Sequence, residues 1–178
     1  MIKGGMILGI FRKRPLNRES YLSFITDYKS IMFKIAYGYL LTEADAMEAV
    51  DEAVYLGYAN MKQLKEPEYL KTWLTRILIN ECHKILRNRK RVTVSGEIPE
   101  IASDDTRISM TLRSAVEELP EDLKEIIILR YFADYSVKDT AAFLDLPQGT
   151  VATRSKKALE LLKADLISME GGIRHESI

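Results

Sequence analysis

Apolar side chains in the first part of the chain recur at spacings of three and four residues, the pattern of a helix with one buried face. The first run consists of Tyr21, Phe24, Ile25, Tyr28, Ile31, Met32, Ile35 and Tyr39. A second run from Ala46 to Met61 predicts another helix, and Thr42 with Asp45 three residues later forms an approximate capping box before it. We therefore expect two successive helices.

The pattern breaks around Pro67, which lacks an N–H donor and restricts the residue before it. We predict a turn over residues 65–68 that starts a third helix. This helix has apolar positions from Leu70 onward and continues into a basic run that ends at Arg91. Over residues 92–107 the periodicity is absent, and polar and acidic residues predict a linker longer than most loops within a domain.

Four further helical patterns follow the linker. They begin, in order, near Met110, Pro120, Ser136 and Gln148, and Gly171 with Gly172 is expected to end the last one. We predict an all-α fold of two small helical domains joined by a flexible acidic linker, the C-terminal one a helix-turn-helix four-helix domain. The expected bounds are a basic tail over 1–19, a first domain over 20–92, the linker over 93–108, a second domain over 109–170 and a tail over 171–178.

The composition is that of an ordinary globular protein, with 178 residues of which 47% are hydrophobic and 29% charged. A single cysteine excludes a disulfide scaffold and fits a reducing, cytosolic compartment. No segment approaches the roughly 20 apolar residues of a membrane-spanning helix. The basic cluster Arg12 to Arg14 follows the apolar stretch Met6 to Phe11, whereas in a signal peptide the basic residues come first.

The formal net charge is zero, with 26 basic and 26 acidic residues, which by itself argues against a nucleic-acid partner. The charges are nevertheless segregated along the chain. Residues 21–60 contain two basic and six acidic side chains, residues 61–95 nine and three, and residues 96–125 three and nine. This order indicates two partners of opposite charge, although chance combined with the charge preferences of helix termini is an alternative.

Residues 136–163 have the anatomy of a helix-turn-helix, with a short capped helix, a tight turn and a second helix with a polar face. The second helix carries Arg154, Lys156, Lys157 and Lys163 against one acid, Glu160. In a major groove, residues near the start of this helix would contact base edges and phosphates. An ordinary helical hairpin with a basic solvent face is the alternative.

The third helix interleaves cations with aromatic and amide side chains, among them Tyr69, Trp73 and Asn80, which suits a separated nucleic-acid strand. Tryptophan at such a spacing is also often a core residue.

The acidic second helix would be repelled by phosphates and needs a basic protein surface. It has no nearby histidine or oxygen-rich loop that would indicate a metal site. Cys82 and His83 are adjacent on a helix and do not face each other.

Three stretches resemble the extracytoplasmic-function sigma factors, the two-domain class of bacterial RNA polymerase initiation subunits within the sigma-70 superfamily. Residues 45–52 (DAMEAVDE) are similar to the polymerase-clamp motif D-A-E-D-x-V-Q-E. Residues 69–80 are similar to the family's T-W-L-x-R-I-x-x-N motif and lead into the basic run. In the second half, residues 119–121, 129–132 and 149–154 are similar to the L-P, L-R-Y-F and G-T-V-x-S/T-R signatures.

The resemblance implies an alternative sigma factor that binds RNA polymerase core, directs it to promoters through the −35 and −10 elements and helps to open the DNA. The residues implied to face the polymerase clamp are Asp45, Glu48, Asp51 and Glu52. Those implied to contact the −10 region are Lys65, Tyr69, Trp73, Arg76, Asn80, Lys84, Arg87, Arg89, Lys90 and Arg91. Those implied to contact the −35 element are Gln148, Thr150, Thr153, Arg154, Lys156 and Lys157.

The chain departs from the family pattern at several of these positions. Lys84 stands where an aspartate is common, and Asp51 replaces the glutamine of the clamp motif. Ala152 replaces a frequent basic residue, which bears on the −35 sequence that the protein prefers. Asp145 replaces a turn glycine, and aspartate tolerates the left-handed conformation better than most residues.

No nucleophile–base set, phosphate loop or metal spacing indicates an enzyme, and no cofactor is expected. One alternative is a conventional helix-turn-helix regulator with a sensing or dimerising N-terminal half, which would bind duplex DNA without polymerase. Another is an adaptor that clasps a second protein. The resemblance further implies a cytoplasmic protein and an inhibitory anti-sigma factor, membrane-anchored, that would hold it at the inner face of the membrane.

Overall fold

A computed structural model describes residues 16–94 and 114–173, which form two separate compact units. The first unit contains helices α1 (Arg18–Leu40), α2 (Glu43–Asn60) and α3 (Leu70–Val94), with short 3-10 turns at Met61–Gln63 and Pro67–Tyr69 between the last two. The second contains α4 (114–118), α5 (Glu121–Ile127), α6 (Val137–Leu144) and α7 (Gln148–Ile173). Neither described range contains a strand, which confirms the all-α prediction.

Several expected features fall wholly or mostly outside the described residues. They are the basic tail up to residue 15, the linker from residue 95 onward, the start of the pattern near Met110 and the end of the chain after Ile173.

The first unit begins with a capped helix and a tight reversal. The Asn17 side chain accepts a hydrogen bond from the Ser20 N–H at 2.8 Å, which satisfies one of the unpaired donors at the start of α1. Leu41 ends α1 in the left-handed conformation, with a φ of 60°, and its N–H donates to the Tyr37 carbonyl. The predicted capping box of α2 is wrong, because the Thr42 side chain makes no hydrogen bond to that helix. Its hydroxyl accepts a hydrogen bond from Arg89 instead.

The core of the first unit is formed by large side chains of α1 and α3 that pack against a strip of small residues on α2. Tyr21, Tyr28 and Met32 of α1 are buried, as are Leu74 and Leu78 of α3. The opposing residues of α2 are Ala46, Ala49, Val50, Ala53 and Gly57. The hydroxyl of Tyr21 donates to the Val54 carbonyl at 2.7 Å, and burial raises the pKa of Tyr21 to about 12. The small residues therefore set how closely the three helices approach each other.

Gly57 lies at the tightest point of this packing. A Cβ atom there would lie 2.5 Å from the Tyr21 hydroxyl oxygen and 2.7 Å from Leu74 Cδ1. We expect Gly57→Ala to lower the free energy of unfolding by about 2 kcal/mol, because the cost of overpacking exceeds the gain in helix propensity. Urea denaturation followed by circular dichroism measures this. The control is Gly149→Ala, since nothing lies within 4 Å of a Cβ at Gly149. A Gly57→Ala protein as stable as the original would contradict the packing.

In the second unit, α6 begins and ends at the residues that the sequence predicts. The Ser136 hydroxyl accepts the Asp139 N–H at 3.0 Å and donates to its carboxylate at 2.6 Å, which confirms the cap of α6. Asp145 ends α6 with a φ of 54°, and Gln148 begins α7, so the predicted turn is also confirmed. One core cluster consists of Ala115, Val116, Leu119, Leu123, Ile127, Ala158 and Leu162, and a second contains Ile126, Ala141 and Val151.

Two features of the second unit differ from expectation. The predicted second helix of this domain changes after Ile127 into a π-helical segment, Ile128–Phe132, in which the Ala133 N–H donates to the Ile128 carbonyl. The prediction that Gly171 and Gly172 end the last helix is wrong, since α7 continues to Ile173. A glycine costs about 1 kcal/mol in a helix, which weakens a helix without forbidding it.

Candidate functional site

The outward surface of α2 carries a cluster of acidic residues. Glu48 and Asp51 are exposed and Glu52 is half-buried, because the buried alanines of this helix occupy its opposite side. Asp51 forms an exposed ion pair with Lys29 of α1, with 3.0 Å between nitrogen and oxygen. These three carboxylates make a negatively charged surface that we call the acidic face.

Two apolar residues that the sequence analysis did not select are exposed on the same helix. Met47 exposes 57% and Tyr55 65% of its surface. The available signal was their spacing, since both fall outside the buried register of Ala46, Val50 and Ala53. Exposed methionine and tyrosine beside charged residues are typical of protein interfaces.

Asp45 and Arg89 differ from the other residues predicted to bind polymerase or DNA, because they contact each other. Arg89 forms an ion pair with Asp45, and its guanidinium also donates to the Leu40 carbonyl at 3.0 Å and to the Thr42 hydroxyl at 2.8 Å. At about 100° per residue, Arg89 lies about 160° around α3 from Trp73. Arg89 thus connects α3 to the junction between α1 and α2, on the side of α3 that faces the core.

The remaining selected residues of α3 share one side of the helix. Trp73, Arg76, Asn80, Arg87 and Arg91 fall within an arc of about 60° at this helical period. All are exposed except Trp73, which is half-buried. We call this surface the basic–aromatic face. It continues into Tyr69 and Lys65, both exposed just before the helix, while the exposed Lys90 lies beside it.

Lys84 lies about 20° beyond the edge of this arc, and its side chain turns away from it. Its ammonium donates to the Glu81 carboxylate at 2.9 Å. That hydrogen bond, followed by the charge of Glu81 and the charges of Glu52 and Glu48, raises the pKa of Lys84. The side chain takes part in lining a groove between α2 and α3, whose lining residues are Glu48, Ala49, Asp51, Glu52, Glu81, Lys84, Ile85 and Asn88.

In the second unit, the selected residues lie in the first turns of α7. Gln148, Thr153, Lys156 and Lys157 are exposed, and the Thr153 hydroxyl donates to the Gly149 carbonyl at 2.9 Å. Lys156 approaches Glu160 at 3.9 Å. These residues form a polar surface with two cations that is presented on one helix, as a helix-turn-helix requires.

Thr150 and Arg154 are half-buried on the same helix. Arg154 Nε lies 3.5 Å from an Asp122 carboxylate oxygen on α5. Arg154 therefore links α7 to the start of α5.

Other kinds of site receive no support from the residues that the structure describes. Within 16–94 and 114–173, no three histidine, cysteine or acidic side chains are grouped as a metal ion would require. No helix in those ranges is long and apolar enough to cross a membrane. Cys82 is buried, and burial raises the pKa of its thiol to about 12, which keeps it protonated.

Comparison with known proteins identifies the family of the chain. Residues 24–92 match the family described as sigma-70 region 2, and residues 109–162 match sigma-70, region 4. The chain is 30% identical over 159 residues to the RNA polymerase sigma factor SigV of Bacillus subtilis, a match that covers 87% of this chain and 96% of that protein. The chain belongs to the sigma-70 family. The chain is also 23% identical over 169 residues to the ECF RNA polymerase sigma factor SigW of Bacillus subtilis, a match that covers 84% of this chain and 90% of SigW.

Solved structures agree with this assignment at the level of the fold. The structure of CnrH in complex with the cytosolic domain of CnrY matches with a TM-score of 0.68 at 18% identity, covering 85% of this chain and 90% of that one. The sigma factor RpoE in complex with the anti-sigma factor NepR from Bartonella quintana matches with a TM-score of 0.65 at 23% identity, covering 81% and 96%.

The resemblance to extracytoplasmic-function sigma factors is therefore confirmed. The protein is an alternative sigma factor that directs RNA polymerase to promoters, and it is a non-enzymatic, DNA-binding initiation factor.

Proposed function

We propose that the first unit binds its two partners on separate surfaces, the polymerase on the acidic face and the −10 region on the basic–aromatic face. The observation that carries this proposal is the arrangement of α2 and α3. The two helices pack against each other, and each directs its functional side chains away from the shared core. A surface of carboxylates and a surface of guanidinium groups cannot serve the same charged partner, because phosphates repel one and a basic protein repels the other.

On the polymerase side, the proposed contacts are Glu48, Asp51 and Glu52, with Met47 and Tyr55 as apolar contacts among them. Aromatic side chains at the centre of an interface commonly carry much of the binding energy, while charges around them set the association rate. Asp45 lies on the same helix as this group, but its carboxylate forms an ion pair with Arg89 of α3. We propose that Asp45 supports the acidic face from within.

On the promoter side, we propose that unpaired −10 bases bind to Lys65, Tyr69, Trp73, Arg76 and Asn80. Tyr69 is 57% exposed, so its ring is accessible for stacking, which is worth about 1–3 kcal/mol per base. The half-buried Trp73 supports this surface from below. Backbone phosphates are proposed to bind the exposed side chains of Arg87, Lys90 and Arg91, which continue along the same helix.

In the second unit, we propose that the −35 element binds to the start of α7. Gln148, Thr153, Lys156 and Lys157 are the candidates for base and phosphate contacts, with Thr150 and Arg154 as supporting residues. The ion pair of Arg154 with Asp122 orients the reading helix against α5. The proposed domain bounds remain 20–92 and 109–170.

The −35 proposal predicts a sequence-specific effect of Lys156→Ala. Loss of a base contact should weaken binding of the polymerase holoenzyme to its promoter by about 1–3 kcal/mol. Binding to a promoter with a scrambled −35 sequence should weaken by less. Fluorescence anisotropy with labelled promoter DNA measures both. Lys163→Ala, an exposed cation two turns further along α7, serves as the control. An equal loss on both sequences would show that Lys156 contacts only phosphate.

We also propose that an anti-sigma factor regulates this protein, which would be cytoplasmic and held at the inner face of the membrane through a membrane-anchored partner. The support is that one similar structure contains RpoE with the anti-sigma factor NepR, and another contains CnrH with the cytosolic domain of CnrY. Purification of the protein from its native cells, followed by mass spectrometry of the bound proteins, would test this. Recovery of polymerase subunits without any further stable partner would count against it.

The function as a whole is tested by transcription in vitro. Core polymerase with this protein should make defined run-off products from genomic fragments, and core polymerase alone should not. A conventional helix-turn-helix regulator would instead bind duplex DNA tightly without polymerase in a gel-shift experiment. Tight binding of that kind, without promoter-dependent transcription, would overturn the proposal.

A further inference from the structure

Lys84 lies at the border between the two proposed surfaces of the first unit. By helical position it falls beside the DNA-facing cations of α3, about 20° around the helix from Trp73 and about 40° from Asn80. Its ammonium, however, donates to Glu81, one turn back toward α2.

The Glu81 carboxylate gives this contact more weight than an ordinary surface pair has. Its side chain is only 14% exposed, whereas that of Lys84 is 55% exposed. A mostly buried carboxylate needs a partner, because desolvation penalises an unpaired charge. Lys84 supplies that partner from the solvent side, so its side chain is held at the groove and away from the direction of Arg87 and Arg91.

The charges that surround Lys84 are those of the acidic face. The groove between α2 and α3 is lined by Glu48, Asp51 and Glu52 on one side and by Glu81, Lys84 and Asn88 on the other. Lys84 is the one cation among four carboxylates in that lining. A basic protein surface that approaches the acidic face therefore meets Lys84 as a repulsive charge.

Resting on the function proposed above, we infer that Lys84 is a residue of the polymerase interface that slows association with polymerase, and that it holds no promoter phosphate. Its ammonium lowers the attraction between the acidic face and a basic polymerase surface. Polymerase therefore associates more slowly than the carboxylates alone would allow. Charges near an interface act mainly on the association rate.

The test uses the full-length protein with Lys84→Gln, whose amide can still donate a hydrogen bond to Glu81. At low salt we expect core polymerase to associate with this variant about two- to fivefold faster than with the original protein. The difference should disappear at about 0.5 M salt, where charges are screened within a few ångströms. Stopped-flow fluorescence of the labelled protein with core polymerase measures the rate. The double variant Glu81→Gln/Lys84→Gln, which leaves the net charge of the groove unchanged, should return the rate to the original value.

Promoter binding by the assembled holoenzyme distinguishes the two possible roles of Lys84. We expect Lys84→Gln to leave both the promoter affinity and its salt dependence unchanged. The comparison variant Arg87→Gln should weaken binding and reduce the salt slope by about 1, as loss of a phosphate contact does. If Lys84→Gln behaved like Arg87→Gln, or left the association with polymerase unchanged, the inference would be overturned. Failure of the original protein to bind polymerase at all would instead refute the proposed function, and the inference with it.

Discussion

Reversing two charges on the acidic face, in the variant Glu48→Lys/Glu52→Lys, should weaken binding to core polymerase by at least about 100-fold. Like charges brought together across an interface cost several kcal/mol, and about 2.7 kcal/mol corresponds to this factor. Both residues lie on the outward surface of α2, and the core that holds this helix in place is made of its alanines, valine and glycine. The reversal should therefore leave the helix content intact. Fluorescence anisotropy of the labelled protein with core polymerase measures the affinity.

The choice of Glu48 and Glu52 follows from the ion pairs of the first unit. Asp45 and Asp51 carry the same charge, but Asp45 is paired with Arg89 and Asp51 with Lys29. Reversal of either would also disturb contacts between helices. The control is Asp27→Lys, an exposed acid on α1 outside the acidic face, and it should change the affinity by less than about threefold. Unreduced polymerase binding by the double variant would place the polymerase contact elsewhere.

Arg89→Ala should lower the free energy of unfolding of the first unit by about 3 kcal/mol. The guanidinium group makes an ion pair with Asp45 and donates to Leu40 and Thr42, so its loss leaves a carboxylate and a carbonyl without their partner at the junction of three helices. Hydrogen bonds to charged groups contribute about 1.5–3 kcal/mol each before partial exposure is taken into account. Chemical denaturation followed by circular dichroism measures the change.

Arg87→Ala is the matched control for this prediction, since Arg87 is exposed two residues earlier on α3. We expect its stability to stay within about 0.5 kcal/mol of the original, while promoter binding by the holoenzyme weakens. Arg89→Lys should recover only part of the lost stability, because an ammonium group does not reproduce the geometry of the guanidinium fork. If Arg89→Ala were as stable as the original protein and lost promoter affinity instead, Arg89 would be a phosphate contact.

Local signals in the sequence predict several of the helix ends. Ser136 with Asp139, Pro120 and the left-handed Asp145 each act over a few residues, and the structure places them as expected. The capping box of Thr42 fails because its hydroxyl accepts a hydrogen bond from Arg89, 47 residues away. The π-helical segment at Ile128–Phe132 was also not predicted, since apolar spacing does not distinguish one helical hydrogen-bond pattern from another.

The motifs identify the family, but they do not show which of their residues are available to a partner. Similarity of residues 45–52 and 69–80 to known motifs was enough to recognise the family, because those motifs depend only on residue type and spacing. The motifs do not show which charges bind each other within the protein. In the structure, Arg89 contacts Asp45 and Lys84 contacts Glu81, which the run of basic residues by itself does not indicate.

The sequence alone thus determined the all-α class, the helices of both units and membership in the sigma-70 family, since each depends on periodicity, local caps or spacing. The formal net charge of zero was compatible with DNA binding because its charges are ordered along the chain. Only the tertiary structure decided which charges remain exposed for a partner. The direction of a side chain around a helix, and the charges that a neighbouring helix brings beside it, depend on how α1, α2 and α3 pack. Those contacts join residues that are far apart in the sequence.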